Sequence, residues 1–413
     1  MALIYPFAAL RPEPGVAAAV ASVPYDVVST DEARALAAGN PLSFLHVSRP
    51  EIDLPPGADP HADPVYERAA AAFAALRQAA PLVVEGRPAF YVYRLQMGAH
   101  AQTGIAACFS IDEYDRDLIK KHEKTRPDKE DDRTRHMLAI GAQTGPVFLT
   151  YRASAVVDAV VARVVSGTPL FDLTAPDGVR HQVWLVPEAD GAGVESGFAA
   201  VPSLYIADGH HRAASAARTR RALAARGAGE HDRVLAVAFP DSQMQVLPYN
   251  RVVRDLNGMT AAQFLEAVRG RLTVHDGGPA APEGRGRVAM YLDGKWYTIE
   301  MGNPEGLPPQ SIGGGNPSGL PDLDVSLLQD HVLAPILRIH DVRTDTRIDF
   351  VGGIRGTAGL ERLVDDGGFA VAFSLFPVSV DDLMRVSDAG GIMPPKSTWF
   401  EPKLRDGLLS HLI

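Results

Sequence analysis

Residues 203–240 read strand, tight turn, helix, strand, and this run constrains the fold more than any other stretch of the chain. SLYIA is a short apolar run, Asp208-Gly209-His210-His211-Arg212 makes a turn, AASAARTRRALAAR is built of helix formers, and VLAVAFP is apolar and β-rich. A strand that turns straight into a helix presents free backbone N–H groups and the positive end of the helix dipole at one point. Such a point favours a phosphate or carboxylate. Two imidazoles and a guanidinium beside it add donors, and Arg grips an anion bidentately. Asp208 can instead hold Mg2+ through hard oxygen ligands. The same residues read equally well as an Asp-Gly turn with Asp208 as helix cap and solvated histidines. Two adjacent histidines without further soft ligands do not make a zinc site.

Around this run the same alternation continues, which favours a mixed α+β architecture. Ser29-Thr30-Asp31-Glu32 has the capping-box spacing and opens a helix that stops by Gly39-Asn40. Asp63-Pro64 starts an alanine-rich helix to about Ala80, and FYVYRLQM and GIAACFSI follow as antiparallel strands. GPVFLTYR is a strand, and a helix runs from about Ser154 to Val165. Farther on, Thr260 to Gln263 opens a second capped helix, and RVAMYLDGKWYTIEM is a hairpin turning at Asp293-Gly294. Residues 302–321, about half Gly and Pro, read as a loop or linker. The last third adds a helix near 325–338 and the strands RIDFVG and FAVAFSLF.

A length of 413 residues allows two or three domains. The expected segments are 1–110 as an N-terminal α/β segment, 111–250 as the core carrying the main motifs, and 251–413 as a C-terminal α/β segment. One integrated body suits the pattern equally. Forty Lys and Arg against fifty Asp and Glu leave a net charge of −10, against a main task of coating nucleic acid or anionic membrane. No apolar run reaches the ~18 residues of a membrane span. The single cysteine, Cys108, cannot form an intramolecular bridge; with no signal peptide visible, the expected compartment is cytoplasmic. It sits in IAACFSI and reads as a packing hydrophobe.

A second chemistry-bearing run is Lys120-Lys121-His122-Glu123-Lys124-Thr125. A carboxylate flanked by cations suits deprotonation of a hydroxyl beside bound phosphate oxygens. A mixed-charge run also reads as a solvated surface, and Glu130, Asp131, Asp132 and His136 are expected on the exposed side of the following helix. Near the N-terminus, Asp26 in VPYDVVS and Ser43 in NPLSFLH are candidate ligand contacts, with a helix cap and a strand entrance as their default roles. Arg251, after a strand, can reach an anion or snorkel.

Taken in order, PYDVVS, NPLSFLHV, KHEKT, DGHHR, YNRVV, RIDFVGG and MPPKSTWF resemble the signature of the domain-of-unknown-function 1015 family from about residue 3 to the C-terminus. The DGHHR turn further resembles the ParB/sulfiredoxin-like superfamily, which includes kinases of free serine, CTP-binding partition proteins and sulfiredoxins. That resemblance implies an α+β fold with a ParB/sulfiredoxin-like mixed-sheet core and additional α/β layers. Sulfiredoxins need a reactive Cys in the turn, where this chain has His211, and partition proteins add a helix-turn-helix that is not visible here. What the resemblance then implies is a nucleotide-dependent small-molecule kinase using ATP or ADP with Mg2+, with free L-serine as acceptor. In that reading Glu123, Asp208 and His210 are catalytic. Gly209, His210, His211, Arg212, Lys124, Thr125 and Arg251 hold nucleotide and phosphate, Asp26 and Ser43 hold substrate, and Asp208 meets the metal. No G-x-x-x-x-G-K-[ST] occurs, so the chain is not a P-loop enzyme. The other readings are a nucleotide-binding regulator without turnover and a phosphoester hydrolase at the same anion site.

Overall fold

The computed structural model describes residues 3–55, 57–79, 82–302 and 323–413. The chain divides into two compact units, one of Met1–Gln245 with Pro402–Ile413 and one of Val246–Glu401. The first is built on a nine-stranded mixed sheet. Its strands are β1 (Ile4–Tyr5), β2 (Tyr91–Met97), β3 (His100–Ser110), β4 (Ile119–Lys120), β5 (Val147–Tyr151), β6 (Phe171–Thr174), β7 (Arg180–Leu185), β8 (Leu204–Asp208) and β9 (Arg233–Pro240). They lie in the order β4-β8-β5-β9-β3-β2-β7-β6, with β1 added to β3. β2 and β3 form the expected antiparallel pair, Met97 opposite His100. The strands on either side of residue 110 therefore share one sheet, since β3 also pairs with β9, Ser110 opposite Arg233.

The pairs β4–β8 and β5–β9 are parallel, while β8–β5 and β9–β3 are antiparallel. Central strands buried on both faces read as near-continuous apolar runs, and β5 and β9 do: every residue of Val147–Tyr151 is buried. Helix α1 (Thr30–Ala37) starts on the expected capping box, in which the Glu32 N–H donates to Ser29 Oγ and the Ser29 N–H to Glu32 Oε2. The alanine-rich helix is α2 (Asp63–Ala79), and α3 (Pro127–Ile140), α4 (Ala155–Val164), α5 (Glu188–Ala199) and α6 (His210–Ala222) follow. Ala213, Ala216 and Ala217 of α6 pack into the core with Val147, Leu149, Leu204 and Ile206. Small side chains let this helix sit close on the sheet, so even Ser215 and Thr219 are buried and need partners; Ser215 donates to the Glu130 carbonyl at 3.1 Å.

The second unit holds an antiparallel six-stranded sheet. Its hairpin turns at Asp293-Gly294, both at positive φ (49° and 73°), as a tight two-residue turn requires. Thr260 caps Ala261–Arg269 through a capping box, again as its spacing predicts. The Gly/Pro-rich loop expected over 302–321 lies, Gly302 apart, outside the described residues. Among the described residues no helix is long and apolar enough to cross a membrane. Cys108 is fully buried, and burial pushes its thiol pKa well up.

Candidate functional site

β4 and β8 are adjacent and parallel, with Lys120 opposite Tyr205, so the segments that follow them leave the sheet at the same edge. That brings KHEKT and DGHHR, 88 residues apart, side by side. The His122 backbone N–H donates to His210 Nε2 at 3.4 Å, and the two rings meet edge-on with centroids 4.4 Å apart. Glu123 Oε2 lies 3.8 Å from His210 Nδ1. The Arg126 N–H donates to His211 Nε2 at 3.1 Å. Burial pushes the His122 pKa down to about 4 against the pull of Asp208, and burial with His122 alongside pushes His210 well down. Both rings are neutral at pH 7.

Strand β8 shifts register between Ile206 and Asp208, which re-aims Asp208 just before the turn. Gly209 has φ 93°, and a Cβ there would stand 2.9 Å from Arg212 Nε, so no other residue fits without strain. Gly209, rather than Asp208, is the N-cap of α6, and no side chain caps this end. The Asp208 carboxylate instead accepts from the Gly209 N–H at 2.9 Å. An uncapped first turn leaves donors and the dipole's positive end open to an anion.

Arg212 is 4% exposed. It donates to the Pro146 carbonyl, its Nη2 lies 3.4 Å from Asp208 Oδ2 and 3.8 Å from Asp26 Oδ2, and its Nε is buried without a hydrogen-bond partner. Asp208 Oδ2 also accepts from Lys403 Nζ at 3.2 Å. Burial opposes ionisation of Asp208, but Lys403 and Arg212 hold its carboxyl well below the usual range. Its oxygens already meet two cations and a backbone N–H, a set that does not fit the expected Mg2+ contact. Asp406 is also buried here, and a Cβ on Gly145 would stand 3.2 Å from its Oδ1 and 3.3 Å from Arg212 Cδ. Burial, reinforced by Asp26, pushes the Asp406 carboxyl up to about 7 against Arg212, Arg133 and Arg405.

Removing the Asp208 charge takes away the carboxylate that Arg212 and Lys403 share and leaves Arg212 with the more distant Asp26. Asp208→Asn should lower unfolding stability by about 3 kcal/mol, the lower end for a broken buried pair, because the Asp208 side chain is 28% exposed. A urea midpoint unchanged from wild type would remove Asp208 as the keystone of this cluster.

A family model described as "Protein of unknown function (DUF1015)" matches residues 4–326. The chain belongs to this family. No curated protein matches it in sequence. Among solved structures it is similar to a conserved hypothetical protein from Pyrococcus furiosus, with 16% identity, TM-score 0.36, and 74% of this chain and 95% of that chain covered. A free serine kinase variant in complex with ADP gives 15% identity and TM-score 0.36, covering 74% of this chain and 92% of that one. C-terminally truncated SbnI from Staphylococcus aureus gives 13% identity and TM-score 0.40 over 74% and 87%. These are distant structural likenesses.

Within this DUF1015 chain the other expected residues are placed unevenly. Asp26 comes from Tyr25–Val27 to stand by Arg212, as given above. Ser43 is 5% exposed, with its Oγ 3.1 Å from Ser22 Oγ and the Leu45 N–H directed at it, so the fold itself uses this hydroxyl. Thr125 donates its hydroxyl to Glu130, and Lys124 is exposed. Arg251 belongs to the second unit, where its guanidinium donates to the carbonyls of Tyr249, Lys396 and Pro395 and burial pushes its pKa down to about 9. Its donors serve that unit's own backbone. The expectation that Asp132 and His136 are exposed is corrected: they are 7% and 4% exposed. Asp132 accepts from Tyr66 and Arg133, and His136 Nε2 meets the Val47 carbonyl at 2.7 Å, because α3 packs against the N-terminal helices. Sequence reasoning missed Lys403 and Asp406, which enter from a C-terminal segment that completes the first unit.

Proposed function

We propose that this chain is a nucleotide-dependent kinase of a small hydroxylated metabolite, with its large mixed sheet as a ParB/sulfiredoxin-like core. The observation that carries the reading is the uncapped start of α6 beside Arg212, whose buried Nε has no hydrogen-bond partner. An unmatched buried donor next to open helix N–H groups is an anion site in waiting. ATP or ADP, arriving as its Mg2+ complex, places phosphate oxygens against the Gly209–His211 backbone and Arg212. Lys124 and Thr125 reach the transferred phosphoryl group from the facing segment. Glu123 takes the acceptor's hydroxyl proton as its oxygen bonds to phosphorus and the terminal P–O bridge breaks toward the nucleotide. Phosphoryl transfer asks mainly for such positioning and charge stabilisation. Asp26 faces the acceptor. L-Serine as that acceptor follows from the resemblance of the DGHHR turn to free-serine kinases.

Purified protein incubated with ATP, ADP or CTP, Mg2+ and a metabolite pool containing serine should yield phosphoserine by mass spectrometry. Nucleotide bound but unchanged would make the chain a regulator, and nucleotide or phosphoester cleaved to inorganic phosphate would make it a hydrolase. Arg212→Lys keeps the charge and loses the planar fork. Nucleotide affinity should then fall about tenfold, the equivalent of one charge-assisted hydrogen bond at ~1.5 kcal/mol. Unchanged affinity by calorimetry would take Arg212 out of the phosphate site.

A further inference from the structure

We infer that His122, Glu123 and His210 form a binding site for a borderline-soft divalent transition-metal ion such as Zn2+. One imidazole nitrogen from each histidine and one Glu123 oxygen lie within 4.8 Å of one another. Two imidazoles and a carboxylate are the ligand set of catalytic zinc centres, which keep a fourth position for water or substrate. The set is a poor match for Mg2+, which prefers oxygen ligands in octahedral geometry.

The independent sign of a missing ligand is His122. Its ring is 2% exposed, the Ile206 carbonyl engages it by a hydrogen bond, and its Nδ1 is buried with no partner among the described residues. A histidine fixed by a backbone carbonyl through one nitrogen, with a lone pair available on the other, is how proteins orient metal ligands. The competing contact at His210, from the His122 N–H to Nε2 at 3.4 Å, is long. Glu123, with a side chain 36% exposed, leaves the cluster an opening to solvent. His211 is adjacent in sequence but turns to the Arg126 N–H.

Metal binding by these residues does not depend on the kinase reading, although Glu123 and His210 serve in both; its consequence for turnover rests on that reading. An ion held by one Glu123 oxygen draws charge from the carboxylate and lowers its basicity, so metal occupancy weakens base catalysis. Zn2+ should therefore suppress transfer that Mg2+ supports.

The test titrates chelator-treated full-length protein with ZnCl2 by calorimetry and with CoCl2 by visible absorption. One equivalent should bind, with the intense d–d bands of four-coordinate Co2+. His122→Ala and Glu123→Gln should each weaken Zn2+ binding by at least about 10–100-fold, the range already seen for outer-shell partners of a metal. Glu123→Gln changes a partly exposed side chain, so it keeps the test valid if His122→Ala fails to fold. No stoichiometric binding, or binding untouched by the substitutions, overturns the site. Metal bound and lost in the variants with no phosphotransfer under any condition keeps the site and sinks the kinase. Metal bound while transfer runs at full rate keeps the site and removes Glu123 as base.

Discussion

Glu123→Gln should lower phosphotransfer turnover by about 10²–10⁴-fold, the usual contribution of general-base catalysis, and leave nucleotide affinity nearly unchanged. Glu123 is carried by the segment after β4 to within 3.8 Å of His210, the first residue of α6. In the proposed kinase the helix N–H groups at that end hold phosphate, so a carboxylate alongside stands where an attacking hydroxyl would lose its proton. Glutamine keeps the size and a hydrogen-bonding carbonyl but cannot take that proton. The neighbouring His210 is a weaker candidate, since its side chain is 4% exposed against 36% for Glu123. Steady-state and single-turnover rates for wild type and variant check the expectation. Wild-type turnover in the variant would remove Glu123 as the base. Loss of nucleotide binding in step with turnover would place Glu123 on the nucleotide instead.

How much of this was legible before the structure differs residue by residue, for physical reasons. The capping boxes at Ser29 and Thr260 are local hydrogen-bond patterns, and both form where their spacing places them. The strand–turn–helix at Leu204–Ala222 is likewise local, and so is the hairpin at Asp293-Gly294. What failed to show was non-local. β4 is two residues long, too short for any periodicity, yet its parallel pairing with β8 is what sets His122 against His210. The same run that reads as mixed surface charge therefore buries one of its histidines. Asp132 and His136 sit in a polar helix, and only the packing of α3 on the N-terminal helices buries them beside Tyr66 and the Val47 carbonyl. Ser43 reads as a ligand contact because its stretch, NPLSFLH, is dense in turn-capable polar groups, while in the fold Ser22 meets its hydroxyl from 21 residues away. Lys403 reaches Asp208 across 195 positions of chain. No spacing rule finds such a partner; a surplus of buried charge around Asp208 and Arg212 is the one hint that further ions must attend it.

Asp406→Asn should stabilise the protein progressively as pH rises from about 4 to about 7, by up to about 4 kcal/mol at pH 8. The sign follows from the direction of the shift. Burial and the neighbouring Asp26 raise the Asp406 carboxyl to about 7, against ~3.9 for an unperturbed aspartate. Between those values the folded chain holds a proton that the unfolded chain has released. Each step up in pH through that window therefore costs the fold, and the cost levels off above about 7. A shift of ~3 units at ~1.36 kcal/mol each gives the magnitude. Asparagine fills the same space and never ionises, so it removes the cost. Other groups titrate in the same window with the opposite sign. His122 and His136, both pushed down to about 4, add stability as the pH rises toward their unfolded values near 6.5. Their contribution is common to both proteins and cancels in the difference. Asp208 and Asp132, held below the usual carboxylate range, lose their contribution only as pH falls below about 4. The informative quantity is thus the gap between variant and wild type in urea unfolding at each pH from 4 to 8. The cations facing Asp406, namely Arg212, Arg133 and Arg405, limit its rise, so the gap measures how far burial and Asp26 outweigh them. A gap that stays constant across the range would show that Asp406 is ionised throughout and that these three arginines win.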